Sequence, residues 1–241
     1  MRLLLLSNSA THGQPYLFHA LEAISEHLAG QPRVLFVPYA LADHEAYTAT
    51  VAEALRPIGV SVEGLHRHSD PVSALRSAQA VFAGGGNTFR LLRRLRRSGL
   101  LGPLSTRVRA GLPYLGSSAG TNLASPTIRT TNDMPIVDPE GFEALGLVPF
   151  QINPHYLDPD PASTHQGETR YQRLVEFCEE NDAPVLAMRE GAWLRVNGAT
   201  AFLGGSAGAV LFRHGLPVSE LGAGADVSWL LGTVPRFTIR G

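Results

Sequence analysis

Through the first 115 residues, short apolar runs alternate with amphipathic stretches. Arg2 to Ser7 is an apolar run of strand length, and Arg33 to Pro38, Gln79 to Ala83 and Pro113 to Leu115 repeat it. Val60 to Leu65 alternates apolar and polar residues, which also predicts a strand. Between these runs the spacing changes. Leu17, Ala20, Leu21, Ile24 and Leu28 recur at three and four residues, so Tyr16 to Leu28 is a predicted helix. His44 to Leu55 is a second, stopped near Pro57, and Phe89 to Arg97 a third, with Pro71 to Ser77 as a short one.

The second half is less regular. Thr127 to Pro139 is polar and punctuated by proline, the mark of a long functional loop. Phe150 to Asn153 predicts a strand ending at Pro154-His155, and Glu168 to Glu180 a helix. Val185 to Met188, Trp193 to Val196, Thr200 to Leu203 and Ala209 to Phe212 predict strands, with Asn197-Gly198 as a hairpin turn. Residues 216–241 carry little signal beyond the Val227 to Leu231 patch and form an unassigned tail to one 1–241 domain.

Strands alternating with helices predict an α/β fold with a mostly parallel sheet covered on both faces. Such sheets hold ligands beyond the carboxyl ends of their strands. Gly84-Gly85-Gly86 and Gly116-Ser117-Ser118-Ala119-Gly120 both sit there. The second segment follows a strand and precedes a helix start, the setting of a nucleophile elbow, G-x-S-x-G. Gly204-Gly205-Ser206-Ala207-Gly208 has the same pattern, but apolar strand-like runs flank it on both sides. Ser206 is therefore read as a turn residue and Ser118 as the candidate nucleophile.

A serine nucleophile needs a base and an orienting acid. His155, just after a predicted strand and restrained by Pro154, is the candidate base. Asp133 and Glu190 compete for the third role, each at a loop or strand end, and spacing leaves both open. Backbone N–H groups of Ala119 and of Gly85 or Gly86 are the candidate donors to an oxyanion. The glycine run lacks the lysine of a phosphate-binding loop.

Charge and composition narrow the partners. Lys+Arg number 20 and Asp+Glu 21, a net charge of -1, so no global attraction to nucleic acid or anionic membrane is expected. No apolar run approaches the roughly 20 residues that span a bilayer. The single cysteine, Cys178, excludes an internal disulfide and suits a reducing cytoplasm. Its helical position makes it a small core residue. Arg90, Arg93, Arg94 and Arg97 share a helix face, read as a solvated one rather than an RNA contact. His66 and His68, with Asp70 nearby, lack a further ligand at metal spacing.

Several segments resemble peptidase E, the α-aspartyl dipeptidase family of serine peptidases. They are LLLLSNS (3–9), GGGNTF (84–89), GSSAGTNL (116–123), PTIRTTNDMPIVDP (126–139), QINPH (151–155), GETR (167–170) and EG (190–191). The 126–139 block is far more specific than the elbow, and the resemblance spans roughly residues 1 to 215. It implies a three-layer fold similar to class I glutamine amidotransferases (flavodoxin-like). It also implies metal-free, cofactor-free hydrolysis of Asp-Xaa dipeptides in the cytoplasm by a homodimer. Ser118 matches the family nucleophile and His155 its base. Either Asp133 or Glu190 matches the third member, and the chain order of the amidotransferase-like fold favours Glu190, with Asp133 in support. Arg170, Arg129, Asn87 and Glu168, all in matching segments, are the expected substrate-binding residues. An arginine there can fork onto the substrate's aspartyl carboxylate, and Arg170 is the favoured one.

Ser117 departs from the tryptophan frequent at that position and is expected to loosen the pocket wall. The Leu157 to Gln166 stretch is also distinctive. Two other activities compete: a cyanophycinase-like hydrolase of β-aspartyl linkages, and a non-catalytic binder of amino acids or peptides.

Overall fold

β1 (Arg2–Leu6) runs through the interior with its four leucines fully buried. Side chains leave a strand on alternate faces, so Leu3 and Leu5 enter one apolar core and Leu4 and Leu6 another. A strand apolar on both faces needs cover on both sides. α1 (Leu21–His27) and α2 (His44–Leu55) close one core through Ala23, Ile24, Val51 and Leu55. α3 (Pro71–Ser77), α4 (Thr88–Arg97) and α5 (Leu101–Arg109) close the other through Leu75, Leu91, Leu92, Leu95, Leu104 and Val108. This computed structural model describes residues 1–162, 164 and 166–239. Residues 163 and 165 of the Leu157 to Gln166 stretch, and residues 240–241 of the tail, lie outside the described residues.

Between those helix layers, β2 (Arg33–Val37), β3 (Ser61–Gly64), β4 (Val81–Ala83) and β5 (Tyr114–Ser117) join β1 in parallel, in the order β3-β2-β4-β5-β1. α6 (Ala119–Asn122) follows β5 directly. The chain then leaves this sheet for β6 (Gln151–Tyr156), α7 (Arg170–Glu180) and β7 (Val185–Arg189). It returns in the antiparallel hairpin β8 (Ala192–Asn197) and β9 (Thr200–Gly205), which extends the sheet beyond β1. β10 (Ala209–Phe212) and β11 (Ser219–Leu221) complete a second sheet, ordered β11-β10-β7-β6. α7 packs on one of its faces through Leu174 and Cys178. Its other face, with Ile152, Leu186 and Leu211, shares a core with Leu3 and Leu5.

Four differences from the sequence pattern have physical causes. α5 lies where the pattern assigned no element, and it accommodates Pro103 because proline is tolerated in a helix's first turn. The helix expected from Tyr16 starts later, as a 3₁₀ turn at Phe18, because Leu17 adopts φ 62. β6 continues past Pro154 to Tyr156, so His155 lies on a strand rather than after one. β6 is an edge strand, where a residue without an N–H is acceptable, and its register shifts between Asn153 and Tyr156. The tail supplies β11, and its Val227 and Leu230 are fully buried, with the Val227 N–H donating to the Ala201 carbonyl of β9.

Candidate active site

β5 ends at Ser117, and the chain reverses at Ser118 with φ 51 and ψ -107. Few residues with a side chain occupy that region. The turn fits because its flanks are bare. A Cβ on Gly116 would sit 2.7 Å from the Gly120 carbonyl oxygen, and one on Gly120 would collide with the Ala83 carbonyl. The Ser118 N–H donates to the Leu6 carbonyl at 3.1 Å, and Thr121 Oγ1 donates to the same oxygen at 2.7 Å. The end of β1 thus pins the turn.

From this turn Ser118 Oγ lies 2.8 Å from His155 Nε2, and His155 Nδ1 lies 2.7 Å from Glu190 Oε1. His155 also has a positive φ, 55, at the irregular end of β6. Its N–H donates to Ser7 Oγ at 2.9 Å. Glu190 occupies the turn between β7 and β8, where Gly191 has φ 87 and donates its N–H to Asn8 Oδ1 at 2.8 Å. An ionised carboxylate only accepts hydrogen bonds. Facing Glu190, the imidazole therefore carries its proton on Nδ1, and Nε2 is free to accept from the serine.

Beside Ser118 the glycine run passes at close range. A Cβ on Gly85 would lie 3.2 Å from Ser118 Cβ, and one on Gly86 (φ 125) 2.7 Å from the Ala40 carbonyl oxygen. Gly84 donates its N–H to Val37 and Asn87 to Ala40. Between them, the amides of Gly85 and Gly86 have no backbone acceptor among the described residues. Ala119 contributes the first N–H of α6. A small cleft joins Ser118, Ala119, Asn122 and His155 to Thr88, Thr131, Asn132 and Asp133.

Asp133 shares the cleft without joining the histidine. Its Oδ2 accepts from the Thr88 N–H at 2.7 Å, from Thr88 Oγ1 at 2.5 Å and from Thr131 Oγ1 at 3.1 Å. Asn87 caps α4 by accepting the Arg90 N–H, and its amide donates to the Met134 carbonyl. Together they fasten the 127–139 loop to the start of α4. Side chains from β6 fix the other end of that loop, since Asn153 donates to the Thr130 carbonyl and Gln151 to Thr127.

The four expected substrate-binding residues separate. Arg170, the first residue of α7, is half-buried; burial lowers its pKa, against the raising field of Glu190. Glu168 is exposed, 3.7 Å from Arg173. Arg129 is exposed and stacks over Phe142 and Phe237, with its charge 5.5 and 5.7 Å from the ring centres. None of Arg129, Arg170, Glu168 and Asn87 is among the residues lining the small Ser118 cleft. Asn87 stands at the entrance of α4, as above.

The model of peptidase family S51 matches residues 3–204 of the chain. The chain belongs to peptidase family S51. Peptidase E of Streptomyces coelicolor is 61% identical over 237 residues, covering 98% of both chains. A probable alpha-aspartyl dipeptidase of Drosophila melanogaster is 54% identical, covering 95% of this chain and 97% of that protein. The crystal structure of a peptidase from an acI-B1 Actinobacterium superposes with TM-score 0.69 at 16% identity, over 94% of this chain and 96% of its own. That likeness shows a shared fold.

With the S51 assignment in hand, the remaining sequence features fall into place. Ser117 is fully buried and shares a 2.6 Å hydrogen bond with Ser9 Oγ, so it does not stand in the pocket wall. Ser206 is a turn residue that donates its N–H to the Gly191 carbonyl. The arginine face of α4 is divided: Arg97 pairs with Glu140, and Arg94 lies over the Tyr39 ring. His66 pairs with Glu45, and His68 with Glu63. Burial pushes the Cys178 thiol up to about 12. Sequence reasoning passed over the roles of Ser7, Asn8, Ser9, Thr88 and Thr131. For the first three a signal existed: a polar triplet at the carboxyl end of an entirely apolar central strand.

Proposed function

We propose that this S51 peptidase hydrolyses dipeptides with an N-terminal aspartate through an acyl-enzyme on Ser118. The observation that carries the reading is the hydrogen-bonded series Ser118 Oγ, His155 and Glu190, beside the Gly85, Gly86 and Ala119 amides. Ser118 Oγ attacks the scissile carbonyl and its proton passes to His155 Nε2. Glu190 stabilises the imidazolium that forms. The carbonyl oxygen, now charged, enters the amide cradle. His155 then protonates the departing amine, and water repeats the sequence to free aspartate. Asp133 supports the cleft wall through its hydrogen bonds with Thr88 and Thr131.

Arg170 is the cation for the aspartyl carboxylate: it is half-buried and within the field of Glu190. Arg129, held on two aromatic rings, serves the loop instead. The family resemblance extends the reading to a homodimer working in the cytoplasm on small peptides, and sedimentation of the purified protein tests the assembly.

The deciding experiment is hydrolysis of α-Asp-Leu without added metal, beside Glu-Leu, Asn-Leu and β-Asp-Leu, with Ser118→Ala as control. Cleavage of α-Asp-Leu alone, abolished in the variant, is the expected result. Preference for β-Asp-Leu would make the enzyme a β-aspartyl hydrolase. Tight aspartate binding without turnover would make it a binder.

A further inference from the structure

β5 and β6 belong to different sheets and share no ladder. The nucleophile and its base therefore reach a 2.8 Å contact from separate frameworks. Catalytic geometry of this kind must be held within tenths of an ångström, because small displacements of reacting groups carry large rate penalties. Something must register one sheet on the other at this point. The three residues that leave β1 do so.

Ser7 is fully buried, and its hydroxyl is used twice: it accepts the His155 N–H at 2.9 Å and donates to the Met188 carbonyl at 2.9 Å. It thereby holds β6 and β7 at once, and it fixes the backbone of a residue at φ 55, a conformation that persists only where its surroundings enforce it. Asn8, 1% exposed, accepts the Gly191 N–H on Oδ1 at 2.8 Å while its amide donates to Ala10 at 2.8 Å. That bond sets the turn carrying Glu190. Ser9 Oγ bonds Ser117 Oγ at 2.6 Å and lies 3.5 Å from where a Cβ on Gly85 would be. It touches the nucleophile turn and the glycine cradle together.

We propose that Ser7, Asn8 and Ser9 are the positioning residues of the site, assigned one each to His155, to Glu190 and to the Ser118 turn. The inference builds on the proposed serine chemistry, but not on the identity of the substrate. Replacing any of the three by alanine leaves a partner N–H or hydroxyl unpaired in a dry place, and the partner then shifts to find another bond.

Ser7→Ala, Asn8→Ala and Ser9→Ala in the full chain test this with four readouts. These are melting temperature, kcat and KM on Asp-Leu, the rate of Ser118 labelling by diisopropyl fluorophosphate, and the downfield proton resonance of His155 Nδ1. Ser7→Ala and Asn8→Ala should lower kcat about tenfold, the loss of roughly one hydrogen bond, with KM changed less than about twofold. Both should also move or broaden the resonance. Ser9→Ala should slow labelling about tenfold and leave the resonance in place. Lower melting temperatures with unchanged labelling and resonance would overturn the proposal, making the triplet a structural strand end. If Ser7→Ala does not fold, Asn8→Ala and Ser9→Ala decide by the same criteria. Labelling and resonance need no dipeptide. An unsubstituted protein that labels but does not cleave Asp-Leu would refute the substrate and leave this inference to its own readouts.

Discussion

The two sheets contribute to the site in opposite ways. The first carries Ser118, the proposed nucleophile, in the turn after β5, a strand buried along its whole length and flanked by parallel neighbours on both edges. The second carries the proposed base, His155, on an edge strand whose register slips, and the proposed acid, Glu190, in the turn that leaves β7. Exposure follows the same division: Ser117 is fully buried, whereas the Glu190 side chain is 60% exposed. The Ser118 turn is confined by close backbone packing as well as by hydrogen bonds. The strands of the other sheet are packed too, but the Glu190 side chain stands largely in solvent, so its electrostatics act partly through water.

Changing the acid on the second sheet is the strongest way to break this comparison. Glu190→Gln keeps the shape and removes the charge that faces His155 Nδ1. Loss of a triad carboxylate of this type lowers kcat by up to about 10⁴-fold where it is buried. For an exposed Glu190, about 10²- to 10³-fold is expected on Asp-Leu. Asp133→Asn retains an acceptor for Thr88 and should cost less than about tenfold. The reverse order in measured kcat would transfer the orienting role to Asp133.

A change on the first sheet should act through packing instead. In Gly120→Ala the new methyl meets the backbone carbonyl of Ala83, which cannot move without disturbing β4. Overpacking of this kind destabilises by about 1–3 kcal/mol. Urea unfolding should show it, together with slower labelling of Ser118. A stable Gly120→Ala variant with normal labelling would show the elbow to be softer than its buried setting implies.

Arg170→Ala sharpens the comparison by leaving both sheets untouched. Arg170 starts α7, which lies against the outer face of the second sheet. Losing a charge-assisted contact to the aspartyl carboxylate should reduce kcat/KM for Asp-Leu about tenfold to a hundredfold. Labelling of Ser118 by diisopropyl fluorophosphate, which needs no aspartyl carboxylate, should hardly change. Equal losses of labelling and of Asp-Leu turnover would remove Arg170 from the carboxylate pocket and point to its field on Glu190.

The same division explains what could be read from the chain. β1 to β5 alternate with helices, and each strand pairs with others of the same simple kind, so periodicity gives sheet and site edge together. Gly116 to Gly120 then marks the turn of Ser118, the proposed nucleophile, because that turn demands bare residues on both flanks. The two central strands of the second sheet, β7 and β10, are apolar on both faces: Val185 to Met188 and Ala209 to Phe212 are all buried. They carry no alternation, so nothing local says that β6 pairs β7 or that β10 leaves the first sheet. His155 and Glu190 were named from chemistry and resemblance, but the 2.7 Å contact that His155 makes with Glu190 and not with Asp133 is a tertiary fact. Arg129 shows a further limit of reading from a motif. Its motif is specific, yet its side chain lies on Phe142 and Phe237, which no spacing could reveal.

The smallest effect lies at the rim of the second sheet. Arg189 forks onto Asp158 at 2.7 and 2.8 Å and onto Glu220 at 3.0 Å, so it ties the segment after β6 to β11 immediately before Glu190. The guanidinium holds the Asp158 carboxyl below the usual aspartate range. A carboxyl with a depressed folded pKa contributes stability that is complete above its unfolded pKa and disappears as pH falls through the folded one. Asp158 is about half exposed, so the neutral-pH contribution is discounted to about 0.5 kcal/mol, or a melting shift of about 1–2 °C. Asp158→Asn should therefore melt slightly lower than the unsubstituted protein at pH 7, and the difference should shrink as the pH is lowered below the ordinary aspartate range. It should also shrink in high salt, which screens exposed pairs. The informative quantity is activity measured beside it. If kcat at pH 7 falls much further than so small a stability change predicts, the Arg189 fork reaches Glu190 through the β7 turn, and the second sheet's half of the site depends on surface charge as well as on the residues that leave β1. If kcat is unchanged, the rim is mechanically separate from the acid, and the bonds of Gly191 with Asn8 and Ser206 set where Glu190 stands.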